Sequence, residues 1–265
     1  MIQLQSIRLA EGEHPDAYPF NIPLIRSLGT LEFETEVTFL VGENGSGKST
    51  LVEAIGLAAG LPIIGGEDAR KDPTLAPVRA LGRALKMAWK GRTRRGFLFR
   101  AEDFFRFARR MHETIEEMES LKKEFAERFK DRPTAFGLTV GAMAGQAAEV
   151  ESRYGRDLHE NSHGESFLKF FQARFVPGGL YLMDEPEASL SPQRQLALLA
   201  LMREMVERDS QFIVATHAPI LMAYPGATLL DIDTAPPSKA DFDDLEHVSL
   251  TRAFLQNPSA FLRHL

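Results

Sequence analysis

Residues 42–50 have the composition of a loop that binds the phosphates of a nucleotide. They satisfy the pattern G-x-x-x-x-G-K-[ST], in which glycines allow tight turns that aim successive backbone N–H groups at a bound anion. We expect Lys48 to bring a positive charge to the β- and γ-phosphates, and Ser49 to offer its hydroxyl to Mg²⁺. The pattern predicts a nucleoside triphosphate site made of Gly42, Glu43, Asn44, Gly45, Ser46, Gly47, Lys48, Ser49 and Thr50.

An acidic pair follows a second apolar segment. Gly179–Met183 is a short apolar run typical of a buried parallel strand, and the chain continues with Asp184, Glu185, Pro186 and Glu187. At the end of such a strand, Asp184 is predicted to hold Mg²⁺, usually through water, and Glu185 to act as the general base. Adjacent acids after a strand are also common in solvated turns, but their occurrence together with the phosphate loop disfavours that alternative.

Two further segments carry polar side chains next to regular elements. Residues 161–165 precede a helical stretch, Ser166–Arg174, and His217 ends the apolar run that begins at Phe212. Taken alone, Ser162 is an ordinary helix N-cap with Glu165 as its capping-box partner. Taken alone, His217 is a hydrogen-bonded histidine at the end of a strand. The order of the four segments along the chain favours a functional interpretation of both.

This order and spacing resemble those of the ATP-binding-cassette (ABC-type) P-loop ATPases, in which a signature sequence, a Walker B strand and a switch histidine follow the phosphate loop. The resemblance covers most of the chain, through His217. It implies that Ser162 and Gly164 match the serine and second glycine of the signature and contact the γ-phosphate bound to a second copy of the chain. It also implies that His217 senses that phosphate and holds the attacking water. ATP is then the substrate, Mg²⁺ the cofactor, and an ATP-dependent homodimer the active form.

The stretch Asp184–Pro192 is similar to the corresponding sequence of small stand-alone bacterial predicted ATPases, a family related to RecF, OLD and SMC-like ATPases. This resemblance implies ATP hydrolysis coupled to a soluble protein or a nucleic acid. Two alternatives stay open. In the first, the chain is the nucleotide-binding subunit of a membrane transporter, which the form of Asp184–Pro192 disfavours. In the second, it is a nucleotide-gated switch with little turnover.

The motifs require a particular set of strands and helices. Glu36–Val41 is predicted to be the strand before the phosphate loop, and Leu51–Leu57 has the apolar spacing of the helix after it. We therefore predict an α/β P-loop NTPase of ABC type with a mixed, mostly parallel sheet, flanking helices and a helical signature subdomain. One domain is expected over residues 1–265. Within it, residues of about 1–100 and 175–265 form the nucleotide-binding core, and those of about 101–174 form a helical insertion with a long amphipathic helix over 104–129.

Two predicted roles have an equally good alternative. An apolar strand leads to Glu102, which either replaces the glutamine that contacts Mg²⁺ in the family or, with Asp103, caps the following helix. Tyr18 and Phe20 are the candidates for stacking on the adenine base. Packing in the core explains them equally well.

Composition limits the class of protein. The chain has 265 residues, 44% of them hydrophobic, a net charge of −6 and no cysteine. The absence of cysteine excludes disulfides and thiolate metal sites and is compatible with the cytoplasm, where we expect the protein. No apolar stretch approaches the ~20 residues that span a bilayer.

A local basic cluster contrasts with the acidic net charge. The cluster is interpreted either as a solvated hairpin between two strands, without a binding role, or as a surface that contacts DNA or RNA. The cluster consists of Lys86, Lys90, Arg92, Arg94, Arg95 and Arg100.

Overall fold

The computed structural model describes residues 1–64, 75–103, 120–121 and 163–263, with residues 163–166 described by their backbone alone. Within these ranges the strands are β1 (Leu4–Leu9), β2 (Leu31–Glu32), β3 (Val37–Val41), β4 (Ile63–Ile64), β5 (Leu85–Trp89), β6 (Gly96–Arg100), β7 (Leu180–Asp184), β8 (Gln211–Ala215), β9 (Thr228–Asp231) and β10 (Ser238–Lys239). The helices are α1 (Pro23–Arg26), α2 (Lys48–Ala59), α3 (Ala76–Ala84), α4 (His163–Arg174), α5 (Pro192–Val206), α6 (Pro219–Met222), α7 (Glu246–Gln256) and α8 (Pro258–Leu262). Short 3₁₀ turns cover Pro186–Ser189 and Phe242–Asp244.

The described strands form two sheets. The larger has the order β10-β9-β3-β8-β7-β6-β4, and all its neighbours are parallel except β9 and β10. The smaller is an antiparallel sheet in the order β2-β1-β5. The predicted α/β architecture with a mixed, mostly parallel sheet and flanking helices is therefore confirmed.

The central strands are buried on both faces, which explains their continuous apolar sequences. One face is aliphatic and packs against α1–α3 and the smaller sheet. Its strand residues include Leu40, Leu98, Leu180, Leu182, Ile213 and Leu230. The opposite face is rich in aromatic side chains and packs against α4–α7. Its strand residues include Phe39, Phe97, Phe99, Tyr181 and Phe212.

Helix α4 is fixed to the sheet by an aromatic cluster. The ring of Phe171 lies 5.1 Å from that of Phe99 on β6, 4.8 Å from Phe167 and 5.3 Å from Phe175, measured between centroids. Phe175 in turn contacts Tyr181 on β7 at 4.7 Å. These edge-to-face and stacked contacts hold α4 against β6 and β7.

The basic cluster is not a hairpin, so that interpretation is wrong. Strand β5 pairs with β1 in the smaller sheet, whereas β6 pairs with β4 and β7 in the larger one. The segment therefore joins two sheets. Arg100 is buried and leaves the cluster, while the other members are exposed, namely Lys86, Lys90, Arg92, Arg94 and Arg95.

Parts of the predicted insertion lie outside the described residues. These include Ser162 and, apart from residues 120–121, the amphipathic helix predicted over 104–129. The division into a core and an insertion therefore stays a prediction. Within the described ranges, none of the helices combines the length and the apolar character needed to cross a membrane.

We expect Phe171→Ala to reduce the free energy of unfolding by about 3–5 kcal/mol, because it removes a fully buried ring from the centre of the aromatic cluster. Chemical denaturation monitored by circular dichroism measures the change. Leu255→Ala on α7, where the side chain is 70% exposed, is the control and should change stability by no more than about 0.5 kcal/mol. Equal losses for both variants would contradict the packing described for α4.

Candidate active site at the carboxyl edge of the sheet

Three neighbouring parallel strands end at the same level. Ala215 of β8 is in register with Leu40 of β3 on one side and with Asp184 of β7 on the other. The phosphate loop, His217 and the acidic pair follow these strands directly. The carboxyl ends of parallel strands are where open α/β sheets bind their ligands, so the fold brings these separate segments into one place.

The phosphate loop depends on glycine at positions that other residues fit poorly. Gly45 and Gly47 have φ values of 83° and 103°, in the region that favours glycine. A Cβ on Gly47 would also lie 2.9 Å from the side chain of Ile22. Helix α2 begins at Lys48, immediately after the loop. The loop therefore leads the chain to a helix N-terminus, whose free N–H groups and positive dipole end bind anions.

Lys48 lies against the inside of the loop. Its Nζ donates hydrogen bonds to the carbonyl oxygens of Gly42 at 2.8 Å and Glu43 at 2.6 Å, and the residue is only 4% exposed. Burial lowers the pKa of Lys48, while the carboxylates of Asp233 and Glu185 act in the opposite direction. The ammonium group thus lies among carboxylates at the edge where phosphates would bind.

Ser49 lies beside Asp184. The Ser49 hydroxyl is close enough to the Asp184 carboxyl group to oppose the rise in its pKa, and Oδ1 of Asp184 is buried and has no hydrogen-bond partner among the described residues. Burial raises the pKa of Asp184 to about 7, and the negative charges of Glu53, Glu185 and Glu187 add to the effect. A hydroxyl beside a carboxylate with an unused oxygen is a set of oxygen donors that fits Mg²⁺.

Glu185 adopts a backbone conformation that is unusual for a residue with a side chain. Its φ is 48° and its ψ is 51°, the left-handed region. The conformation is held by a hydrogen bond from its N–H to the carbonyl of Ala215 at 3.0 Å. The side chain is 44% exposed, and its Oε1 lies 3.9 Å from Nε2 of His217. Strain of this kind is found at functional sites, where it orients a reactive group.

Glu187 joins the Walker B segment to the loop that carries His217. Its Oε1 accepts hydrogen bonds from the Thr216 hydroxyl and from the backbone N–H of His217, both at 2.7 Å. Burial raises the pKa of Glu187. No role for Glu187 is predicted from the sequence, although its place two residues after Glu185 is a signal that it faces the same site.

Asp233 is a second residue of the site that the sequence motifs do not predict. Its Oδ2 accepts a hydrogen bond from the backbone N–H of Glu43 at 2.7 Å. A Cβ on Gly42 would lie 2.8 Å from Oδ1 of Asp233, so a side chain there would displace the Asp233 carboxylate. Asp233 follows β9, the neighbour of β3, and this parallel pairing places it beside the loop.

Glu102 lies beside a buried arginine. Its Oε1 is 3.3 Å from Nη1 of Arg100, and that guanidinium also bonds to Glu53 at 3.0 Å and to Asp103 at 2.5 Å. Arg100 is in register with Asp184 on the neighbouring strand. Glu102 is therefore near the acidic edge but drawn towards Arg100, and its predicted contact with Mg²⁺ stays a prediction.

The structure describes some of the remaining predicted residues and not others. Helix α4 begins at His163 and contains Gly164, whereas Ser162 lies outside the described residues. Tyr18 is 52% exposed, and its hydroxyl is 3.2 Å from Oγ1 of Thr50, the last of the predicted phosphate-binding residues. Phe20 is buried. Of the two candidates for stacking on adenine, Tyr18 is the one accessible from the site.

A cavity of about 750 Å³ adjoins the phosphate loop on the side of β9, β10 and α7. Its lining includes Gly42, Ser46, Asp233 and His247. The cavity gives access from solvent to the edge where the phosphate loop and His247 lie.

Without divalent cations, we expect Asp184→Asn to stabilise the protein by about 4 kcal/mol at pH 8 and by about 2 kcal/mol at pH 5. Since the pKa of Asp184 is raised in the folded state, ionisation of this group costs stability as the pH rises from about 4 to about 7. The asparagine side chain does not ionise. Thermal denaturation in EDTA at both pH values tests this, with the exposed Asp243→Asn as control. A gain that is equal at pH 5 and pH 8 would contradict the raised pKa.

Comparison with known proteins agrees with this geometry. A family model described as "AAA domain" matches residues 24–134, and one described as "AAA domain, putative AbiEii toxin, Type IV TA system" matches residues 170–223. The chain is 30% identical over 240 residues to the thiamine import ATP-binding protein ThiQ of Chelativorans sp. (strain BNC1), covering 87% of this chain and 84% of that protein.

An uncharacterized ABC transporter ATP-binding protein of Haemophilus influenzae is 26% identical, with 77% of this chain and 72% of that protein covered. Among solved structures, the Smc head domain of Pyrococcus furiosus, bound to the C-terminal domain of ScpA, aligns with a TM-score of 0.44 and 14% identity over 97% of this chain and 99% of that chain. Given the phosphate loop and acidic pair at neighbouring strand ends and the ThiQ match over most of both chains, the chain belongs to the ABC-type P-loop ATPases.

Proposed function

We propose that this protein binds Mg-ATP and hydrolyses the bond to the γ-phosphate. The observation that carries the proposal is the convergence of Lys48, Asp184, Glu185 and His217 at one edge of the sheet. The preference for ATP over other nucleotides rests on the relatives, which are named ATP-binding proteins.

Glu185 is the proposed general base. Its carboxylate is half-exposed at the edge of the sheet and so can reach a water molecule, and the strained backbone fixes its direction. His217, 3.9 Å from it, is the proposed group that orients this water and contacts the γ-phosphate. The two side chains come from adjacent strand ends, so an attacking water between them would be positioned by both.

Charge that develops on the phosphates is met by three groups on this chain. Lys48 supplies a fixed positive charge, and the N-terminus of α2 supplies backbone N–H groups. Ser49 and Asp184 would hold a magnesium ion, which neutralises charge on the β- and γ-phosphates when bound. The unpartnered Oδ1 of Asp184 supports this assignment.

The proposed active form is a head-to-tail dimer that encloses two ATP molecules. In it, Ser162 and Gly164 of one copy contact the γ-phosphate held by the Lys48 of the other. The support comes from family membership and from helix α4, which begins at His163 and is packed on the Walker B strand. The dimer supplies each site with a second helix N-terminus, which is favourable for a phosphate.

Hydrolysis is proposed to be coupled to a soluble protein or a nucleic acid in the cytoplasm. The exposed basic side chains between β5 and β6 support a nucleic acid as the partner, and a basal ATPase rate that rises with DNA or RNA would identify it.

A second candidate function is that of the ATP-binding subunit of a transporter, because the named relatives serve thiamine import and other ABC transport. Co-purification with membranes distinguishes this candidate from the first.

We expect Glu185→Gln to bind Mg-ATP with nearly wild-type affinity and to lower kcat by about a hundredfold or more, because the amide does not accept the proton of the attacking water. Phosphate release and nucleotide titration measure the two quantities. Glu204→Gln, an exposed position on α5, is the matched control and should leave both unchanged. Turnover at the wild-type rate in Glu185→Gln would overturn the assignment of the base.

A further inference from the structure

His217 has a side-chain partner from a distant part of the chain. Its Nδ1 lies 3.2 Å from Nε2 of His247, and the two ring centroids are 5.2 Å apart. His247 is the second residue of α7, a helix that follows all the recognised motifs. A nitrogen–nitrogen separation of 3.2 Å is a hydrogen bond, so one ring donates and the other accepts.

The other nitrogen of His217 indicates which ring donates. Nε2 of His217 is buried, lies 3.9 Å from the Glu185 carboxylate and has no hydrogen-bond partner among the described residues. A neutral histidine has one N–H and one lone pair. If the proton were on Nδ1, the Nε2 lone pair would face a carboxylate and, in the complex, a phosphate oxygen. A proton on Nε2 removes this repulsion and gives the phosphate a donor.

The local electrostatics favour the neutral form of His217. Burial lowers its pKa, and the charges of Lys48 and His247 lower it further, while Glu185 and Asp233 oppose them. A neutral ring has two tautomers, and the hydrogen bond made by one nitrogen decides which of them is present. His247 makes that bond.

His247 is itself held in place. The neighbouring Leu245 and Val248 are 6% and 4% exposed and pack into the aromatic-face core, which anchors the first turn of α7. On the other side, Glu187 fixes the backbone of His217 through its N–H at 2.7 Å. The His217 ring is thus positioned between two supports, one at its backbone and one at Nδ1.

We propose that His247 is a positioning residue for ATP hydrolysis: its Nε2–H donates to Nδ1 of His217 and thereby keeps the His217 proton on Nε2, directed at the γ-phosphate. The expected effect of His247 on the rate of hydrolysis rests on the proposed function. The tautomer of His217 does not depend on whether the protein hydrolyses ATP. The start of α7 is therefore part of the hydrolytic site.

The kinetic test compares two substitutions at one position. His247→Leu removes the donor and should lower kcat by about tenfold to a hundredfold, the usual range for a group that orients a ligand-binding histidine, with KM for ATP changed less than about threefold. His247→Gln places an amide N–H close to where Nε2 was and should recover most of kcat. Arg252→Ala, exposed on the same helix, is the control for changes in α7. Wild-type kcat in His247→Leu, or equal losses in the leucine and glutamine variants, would overturn the proposal.

The second test observes the proton directly. In protein labelled with ¹⁵N-histidine, two-bond ¹⁵N–¹H correlation spectra distinguish the two tautomers, and His217→Asn identifies the signals of His217. We expect the Nε2–H tautomer in the wild type and a shift of population towards Nδ1–H in His247→Leu. An unchanged tautomer in His247→Leu would overturn the role of His247 even in an active enzyme. Should the wild type fail to hydrolyse ATP, the proposed function fails, and this spectrum still decides whether His247 fixes the tautomer.

Discussion

The site depends on the parallel register of β3, β8 and β7. Leu40, Ala215 and Asp184 are at one level, so the segments that follow them leave the sheet at the same edge. The packing maintains this register, because side chains alternate between an aliphatic and an aromatic face. A slip of one residue would move each strand's side chains to the opposite face. Rings such as Phe212 and Tyr181 would then meet the aliphatic layer, which is filled by α2.

The same alignment concentrates negative charge. Asp184, Glu185, Glu187 and Asp233 all lie close enough to Lys48 for their charges to raise the pKa of its ammonium group. Burial raises the pKa of Asp184 to about 7, and ionisation of this carboxyl is therefore costly in the protein alone. A divalent cation beside Asp184 would reverse this cost and bring the positive charge that phosphates require. The arrangement lowers the stability of the isolated protein in favour of binding, a trade that is common at active sites.

Much of the site follows from the sequence, for identifiable physical reasons. Gly47 can be recognised because the phosphate loop requires backbone angles and space that only glycine provides. The strand before Asp184 can be recognised because a strand buried on both faces is apolar throughout. In these cases the local sequence determines the local structure.

Contacts between distant segments were not predictable in the same way. The pairing of β5 with β1 rather than β6 is a choice between partners with similar patterns, and local propensity does not decide it. His247 reaches His217 because Leu245 and Val248 are buried in a core made by other elements. Glu102 meets Arg100 because that arginine is buried at the end of β6. Each contact requires the tertiary structure.

The proposed active site is completed by a second copy of the chain. The most direct test is the solution mass of the Glu185→Gln protein, measured by light scattering with and without Mg-ATP. We predict a monomer of 29.6 kDa without nucleotide and a particle of twice that mass at saturating Mg-ATP. A protein that stays monomeric with ATP bound would contradict the shared site and leave the signature residues without their proposed role.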